Sequence, residues 1–258
     1  MASRRQHLSQ NFLYNTAVLR QIVRAAELRP GDLVVEPGAG EGTLTRLLAR
    51  SARQVIAYEL DPDLAARLPG RLRAERNVHV IRDDFLTAHP PRTPFAVVGN
   101  IPYSRSTDIV RWCLNARSLT SATLVTQLEF ARKRTGDFGT WPLLTVQSWP
   151  VHDWRLGQRI GRRQFTPVPR TDSAVLRIVR REAPLLPARD LPAYRALVAD
   201  GFTGAGGSLR ATLTRGHRGG RVREALRAAR IPDGATVGLV SPRQWLVLFA
   251  HLSGRRER

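Results

Sequence analysis

The sequence predicts a Rossmann-like doubly wound α/β fold with a small all-helical C-terminal domain, and three observations carry this. Strand-like and helix-like segments alternate from residue 33 to about residue 134, the pattern of a parallel sheet with crossover helices. A glycine-rich turn joins the first of those strands to the helix after it. The final stretch of the chain has helical periodicity and no strand signal.

The elements follow in order. TAVLRQIVRAAEL places Val18, Leu19, Ile22 and Val23 at helical spacing with Thr16 as N-cap, and RPGD ends it. DLVVEP is a strand, GAGEG a turn and TLTRLLAR a helix; QVIAYE and DPDLAARL repeat the pair. NVHVIRDDF is a short strand ending in acids, and PFAVVGN is almost wholly apolar, as suits a strand covered on both faces. STDIVRWCLNA reads as a helix and SATLVTQLEFARKR as a fifth strand with its helix. LLTVQSWPVHDWRL and SAVLRIVR then read as strands with no helix between them. REAPLLPARDLPA is a proline-rich linker, and GFTGAGGS and RGHRGGR read as loops. AYRALVADGF, REALRAARI and SPRQWLVLFAHL are helices, the last capped by Ser241 with Pro242 at its first position. The expected domains are residues 1–182 and 183–258.

Composition narrows the partners. With 42% hydrophobic and 24% charged residues the chain reads as a folded, soluble protein, and it lacks the run of about 18 apolar residues a membrane span needs. MASRRQHLSQNF has no apolar segment behind its arginines, so no secretory signal is expected. Cys113 is the only cysteine, which precludes an intrachain disulfide and suits a reducing cytoplasm. Against 21 acidic residues stand 41 basic ones, a net charge of +20, and Lys133 is the only lysine. Such a field favours a polyanion, nucleic acid above all.

The chemistry-bearing residues sit at strand ends. Gly38, Gly40 and Gly42 are spaced G-x-G-x-G, unlike the dinucleotide fingerprint. Glu36 precedes them, where it would oppose a pyrophosphate but could orient backbone or a cationic ligand. Glu59 ends the second strand of the alternation and can accept from ribose hydroxyls. Asp84 follows the third and can accept from an adenine amino group. These residues describe a pocket for an adenosine without phosphates, so S-adenosylmethionine fits better than NAD.

VVGNIPYSRST closes the fourth strand with Asn100, Ile101 and Tyr103, and the four residues from Asn100 to Tyr103 offer no acid, base, thiol or metal ligand. Pro102 holds Ile101 extended, which would aim the Ile101 carbonyl and the Asn100 amide at one small volume. Tyr103 offers a ring on which a base can stack. That arrangement suits methylation of adenine N6, whose lone pair is delocalised: acceptors on the amino hydrogens stabilise the charge that develops during attack, without a general base or a metal. A paired adenine could not reach such a site, so the target must be unpaired or flipped out.

SQNFL, VVEPGAGEGTLT, YELDPDL, RDDFL, GNIPYSRST and QFTPVPRTDSAVL together resemble, in this order, the motifs of the rRNA adenine N6-dimethyltransferases. The resemblance is strong over about residues 9–180 and looser through SLRATL and SPRQWLVLFAHL. NIPYSRST is similar to the NIPYxxST of the Erm branch rather than the NLPYNIS of the branch acting on small-subunit rRNA. It implies transfer of one or two methyl groups to N6 of one adenine in 23S rRNA, on protein-free or pre-assembly RNA, by a monomeric cytoplasmic enzyme. The modified base then blocks macrolides, lincosamides and streptogramin B. It further implies that Asn11 and Leu13 close over the cofactor, Gly38 contacts its methionine part, Glu59 its ribose and Asp84 its adenine. Asn100 would touch both cofactor and target amine, with Tyr103 and Phe165 stacking on opposite faces of the target base. Asp84 is preferred to Asp83 because the family pattern is an acid followed by two apolar residues. ARKRTG and GQRIGRRQF add Arg132, Lys133, Arg134, Arg162 and Arg163 as expected phosphate contacts. Alternatives are a 16S rRNA dimethyltransferase, a non-catalytic nucleic-acid-binding relative and a DNA adenine methyltransferase, although the last usually has a second proline where Ile101 stands.

Overall fold

Strand and helix alternate along the first half of the chain in the computed structural model, which describes residues 11–253. The order is β1 (Phe12–Leu13), α1 (Thr16–Ala25), β2 (Leu33–Pro37), α2 (Thr43–Ala49), β3 (Gln54–Tyr58), α3 (Pro62–Arg71), β4 (Val78–Ile81), β5 (Phe95–Asn100), α4 (Ser106–Asn115), β6 (Leu119–Gln127) and α5 (Leu128–Arg134). There follow α6 (Leu143–Ser148), β7 (His152–Ile160), β8 (Phe165–Thr166), β9 (Ser173–Arg180), α7 (Leu191–Phe202), α8 (Leu209–Thr214), α9 (Gly219–Ala228) and α10 (Pro242–Leu252). Ser9 and Gln10 of the SQNFL motif and the closing GRRER lie outside the described residues.

Among the described residues, seven strands form one sheet in the order β4-β3-β2-β5-β6-β9-β7. The pairs from β4 through β6 are parallel, and β9 returns antiparallel to β6. The direction of strand succession reverses between β2 and β5, which places a ligand crevice beyond their C-terminal ends. β2 is buried at every position and β5 at all but Asn100, because helices cover both faces. Each fully buried Val or Leu there stabilises the fold by about 1.5–3 kcal/mol. Gly99 lets β5 approach β2 closely: a Cβ there would lie 2.9 Å from the Pro37 ring.

Asn15, rather than Thr16, caps α1, its Oδ1 accepting from Ala17 N at 2.9 Å. Ser241 forms a full capping box with Gln244. Gly219 and Gly220, read as loop, form the start of α9.

The chain divides into two compact units. One comprises the residues up to Ala131 together with Arg155–Arg180, and the other Arg132–Trp154 together with the residues from Arg181 onward. The sequence places a single boundary after residue 182 and reads LLTVQSW as strand. Residues 143–148 instead form α6, with Val146 fully buried in the helical core and its carbonyl accepting from the Tyr194 hydroxyl at 3.0 Å. A short apolar run has no period of its own to decide between strand and helix, and the packing partner decides. No helix among the described residues is long and apolar enough to cross a membrane.

Candidate active site

The glycine turn after β2 is built on positive φ angles. Gly38, Gly40 and Gly42 have φ of 74°, 57° and 78°, a region that costs side-chain-bearing residues energy. The turn is tied to β3 by Gly38 N and Ala39 N, which both donate to Tyr58 O at 2.9 Å. Glu59 braces it from the next strand: Oε2 accepts from Gly40 N at 2.6 Å and Oε1 from Asp61 N at 2.8 Å. Burial raises the Glu59 carboxyl above its ordinary range, and these backbone N–H groups oppose the rise.

Gly38 lines two cavities. The first also has Glu59, Asp83, Asp84 and Arg105 in its wall. Asp84 Oδ1 accepts from Leu86 N at 2.9 Å, and Oδ2 lies 3.6 Å from the Arg105 guanidinium. Asp84 is thus fixed as the cap of a 3-10 turn with its carboxylate at the cavity. The second cavity is lined by Leu13, Tyr14, Glu36, Gly40 and Asn100. Glu36 is 1% exposed and its Oε2 has no hydrogen-bond partner. Burial pushes its carboxyl up to about 8, the nearby Glu59 charge adding to the rise and the Thr45 hydroxyl opposing it. Acids that face the one Arg105 guanidinium in the first wall, which lies 3.6 Å from both Asp84 and Asp108, plus one buried unpartnered carboxyl oxygen in the second, fit a nucleoside that carries a cationic amino-acid portion.

Asn100 ends β5 in the wall of the second cavity. Its Nδ2 donates to Asn11 O at 2.7 Å, which fixes the amide plane and leaves Oδ1 as the acceptor. Ile101 packs its side chain inside at 2% exposure. Tyr103 opens a 3-10 turn and is half-buried. Its hydroxyl lies 2.6 Å from Ser173 Oγ, which tethers the ring, and burial raises its pKa. The strand tip and the glycine turn therefore share one crevice.

A family profile described as "Ribosomal RNA adenine dimethylase" matches residues 1–253. The chain belongs to this family. It is 52% identical over 256 residues to an rRNA adenine N-6-methyltransferase of Streptomyces fradiae, covering 98% of this chain and 80% of that one. It is 36% identical to the mycinamicin-resistance protein MyrB of Micromonospora griseorubida, covering 95% and 78%. A solved structure of the 23S rRNA methyltransferase ErmE superposes with a TM-score of 0.90 at 49% identity, covering 94% of this chain and 100% of that one.

In this member of the rRNA adenine dimethylases Phe165 departs from its expected place. It is 0% exposed in the core with Leu13, Val98 and Val175, so it presents no open face for a base. The cause is register: Leu13 pairs with Phe165 across β1 and β8, and both side chains turn inward. Tyr14, one residue beyond Leu13, is 57% exposed at the cavity wall with its hydroxyl donating to Arg163 O at 3.0 Å. Only the alternation of this two-residue strand signals it in the sequence. Arg162 and Arg163 are exposed on the turn before β8. The Arg162 guanidinium lies 3.4 Å from Arg170 O. Lys133 is exposed and Arg134 half-buried, and both belong to the second unit. Arg132, also in that unit, is paired with Asp137 and lies over the Phe138 ring.

Proposed function

We propose that this protein transfers methyl groups from S-adenosylmethionine to N6 of one unpaired adenine in 23S rRNA, and so confers resistance to macrolide, lincosamide and streptogramin B antibiotics. The observation that carries this reading is the placement of the Asn100 amide in the wall of a cavity that also includes Gly38, Gly40 and Glu36. Bound S-adenosylmethionine supplies an electrophilic methyl group. In this reading Glu59 accepts from its ribose hydroxyls, Asp84 from its adenine amine, and Glu36 faces its ammonium group. Leu13 and Asn11 close the wall beside it.

Asn100 Oδ1 and the Ile101 carbonyl accept the two amino hydrogens of the target adenine. Holding both hydrogens localises the nitrogen lone pair and stabilises the positive charge that grows as the N–C bond forms. The alkylated nitrogen then loses a proton to water, so no side chain has to act as a base. Tyr103, tethered by Ser173, holds one face of the ring. Fixing the ring is worth a large part of the barrier, because misplacement by 1 Å can cost about a hundredfold in rate.

Purified protein, labelled S-adenosylmethionine and protein-free 23S rRNA test the proposal, with primer extension to locate the product. Labelled N6-methyladenine at one position of 23S rRNA is expected. Label confined to 16S rRNA would transfer the protein to the small-subunit branch.

A further inference from the structure

The turn that follows α5 spends several residues on presenting a phenylalanine to solvent. Phe138 is 47% exposed. The turn that carries it is fixed: Asp137 N donates to Arg132 O at 3.0 Å and Gly139 N to Gly136 O at 2.9 Å. Gly136 has a φ of 74°, and a Cβ there would fall 2.3 Å from the Trp141 ring, so the position accepts only glycine. Trp141 N in turn donates to Gly238 O at 2.7 Å. That bond ties this segment to the turn bearing Leu239, which is 58% exposed.

The exposed ring has a charged partner. The Arg132 guanidinium lies 4.3 Å from the Phe138 ring centroid and is held there by its ion pair with Asp137. Lys133 is exposed on the same helix end. The second unit as a whole carries 17 basic and 8 acidic residues. A guanidinium lies directly over the ring, whereas the buried centre of a protein-docking patch is depleted of charged residues. An open ring backed by a guanidinium and bordered by a lysine suits a nucleobase and its phosphate, since every base offers a π-face.

We propose that Phe138 and Arg132 form a stacking platform for an unpaired nucleotide of the RNA substrate, outside the catalytic crevice, with Lys133 on an adjacent phosphate. The inference rests on the reading above that the substrate is RNA, and it deepens that reading by adding a second contact point for single-stranded RNA.

The test uses the full chain with Phe138→Ala, Phe138→Leu and Phe138→Trp variants. Measurements are affinity for protein-free 23S rRNA across a salt series, S-adenosylmethionine affinity by calorimetry, and KM and kcat for methyl transfer. Phe138→Ala and Phe138→Leu should each raise the RNA Kd and KM about 5- to 100-fold. The kcat, the cofactor affinity and the slope of affinity against salt should stay unchanged, because no phosphate contact is removed. Phe138→Trp should match or exceed the parent. Parental RNA Kd and KM in the alanine variant would overturn the platform, and so would a leucine variant equal to the parent, since leucine keeps the apolar bulk and loses the π-face. If the unmodified protein methylates no RNA, the substrate reading itself has failed, an outcome separate from either of these.

Discussion

In the first unit two carboxyl groups are hidden: Glu36 and Glu59 are 1% and 2% exposed, and each stands at a cavity wall beside the glycine turn. In the second unit the corresponding features are turned outward, with Phe138 47% exposed and Arg132 lying over its ring. The contrast shows how one chain can address two kinds of ligand. A carboxylate taken out of water interacts strongly and selectively with a small cationic partner, because little solvent screens it. An exposed ring or guanidinium is screened and gains mainly from stacking and from the number of phosphates it meets. Few buried groups therefore suffice for the cofactor, whereas a polymer calls for many exposed ones.

Three perturbations probe that contrast, in falling order of effect. Asn100→Ala removes a fixed acceptor inside the crevice and should lower methyl transfer by about a hundredfold to a thousandfold. Calorimetry should still detect cofactor binding, since Gly38, Glu59 and Asp84 are untouched; undiminished turnover would refute the role of the amide. Tyr103→Ala should cost about 5- to 100-fold in kcat/KM through lost stacking, and Tyr103→Phe only a few-fold because the ring remains and the Ser173 tether alone is lost. Equal losses in both would assign the effect to the hydroxyl rather than the ring face. The smallest effect concerns Glu36, whose carboxyl burial pushes up to about 8 from the ordinary 4.5. The folded protein then holds this proton more tightly than the unfolded chain, so stability falls as pH rises from about 4.5 toward 8. Glu36→Gln should flatten that decline in a Tm series from pH 5 to 8; an unchanged slope would mean that the carboxyl is ionised throughout.

Strand ends were the most legible part of the site. A parallel sheet brings the C-terminal ends of its strands to one edge, so Gly38, Glu59, Asp84 and Asn100 could be grouped from their positions after successive apolar runs. The bracing of the turn by Glu59 was not legible, because it depends on where Gly40 N points once the turn is folded. Phe165 shows the opposite failure. Its motif marks it as a functional aromatic, and pairing with Leu13 across a two-residue ribbon buries it completely. Arg132 counts as one of many cations until Asp137 and Phe138 fold back on it.

The sequence by itself determined the alternation of strand and helix, the left-handed glycine turn, the charge of the surface and the amide at the end of β5. These are properties of local backbone preference and of hydrophobic period, which each segment carries without its neighbours. Only the tertiary structure decided that residues 143–148 are a helix of the second unit, which aromatic rings are open and which are closed, and which carboxyl oxygen is left unpartnered. Those outcomes turn on burial and on partners distant in the chain, and neither is written in the spacing of nearby residues.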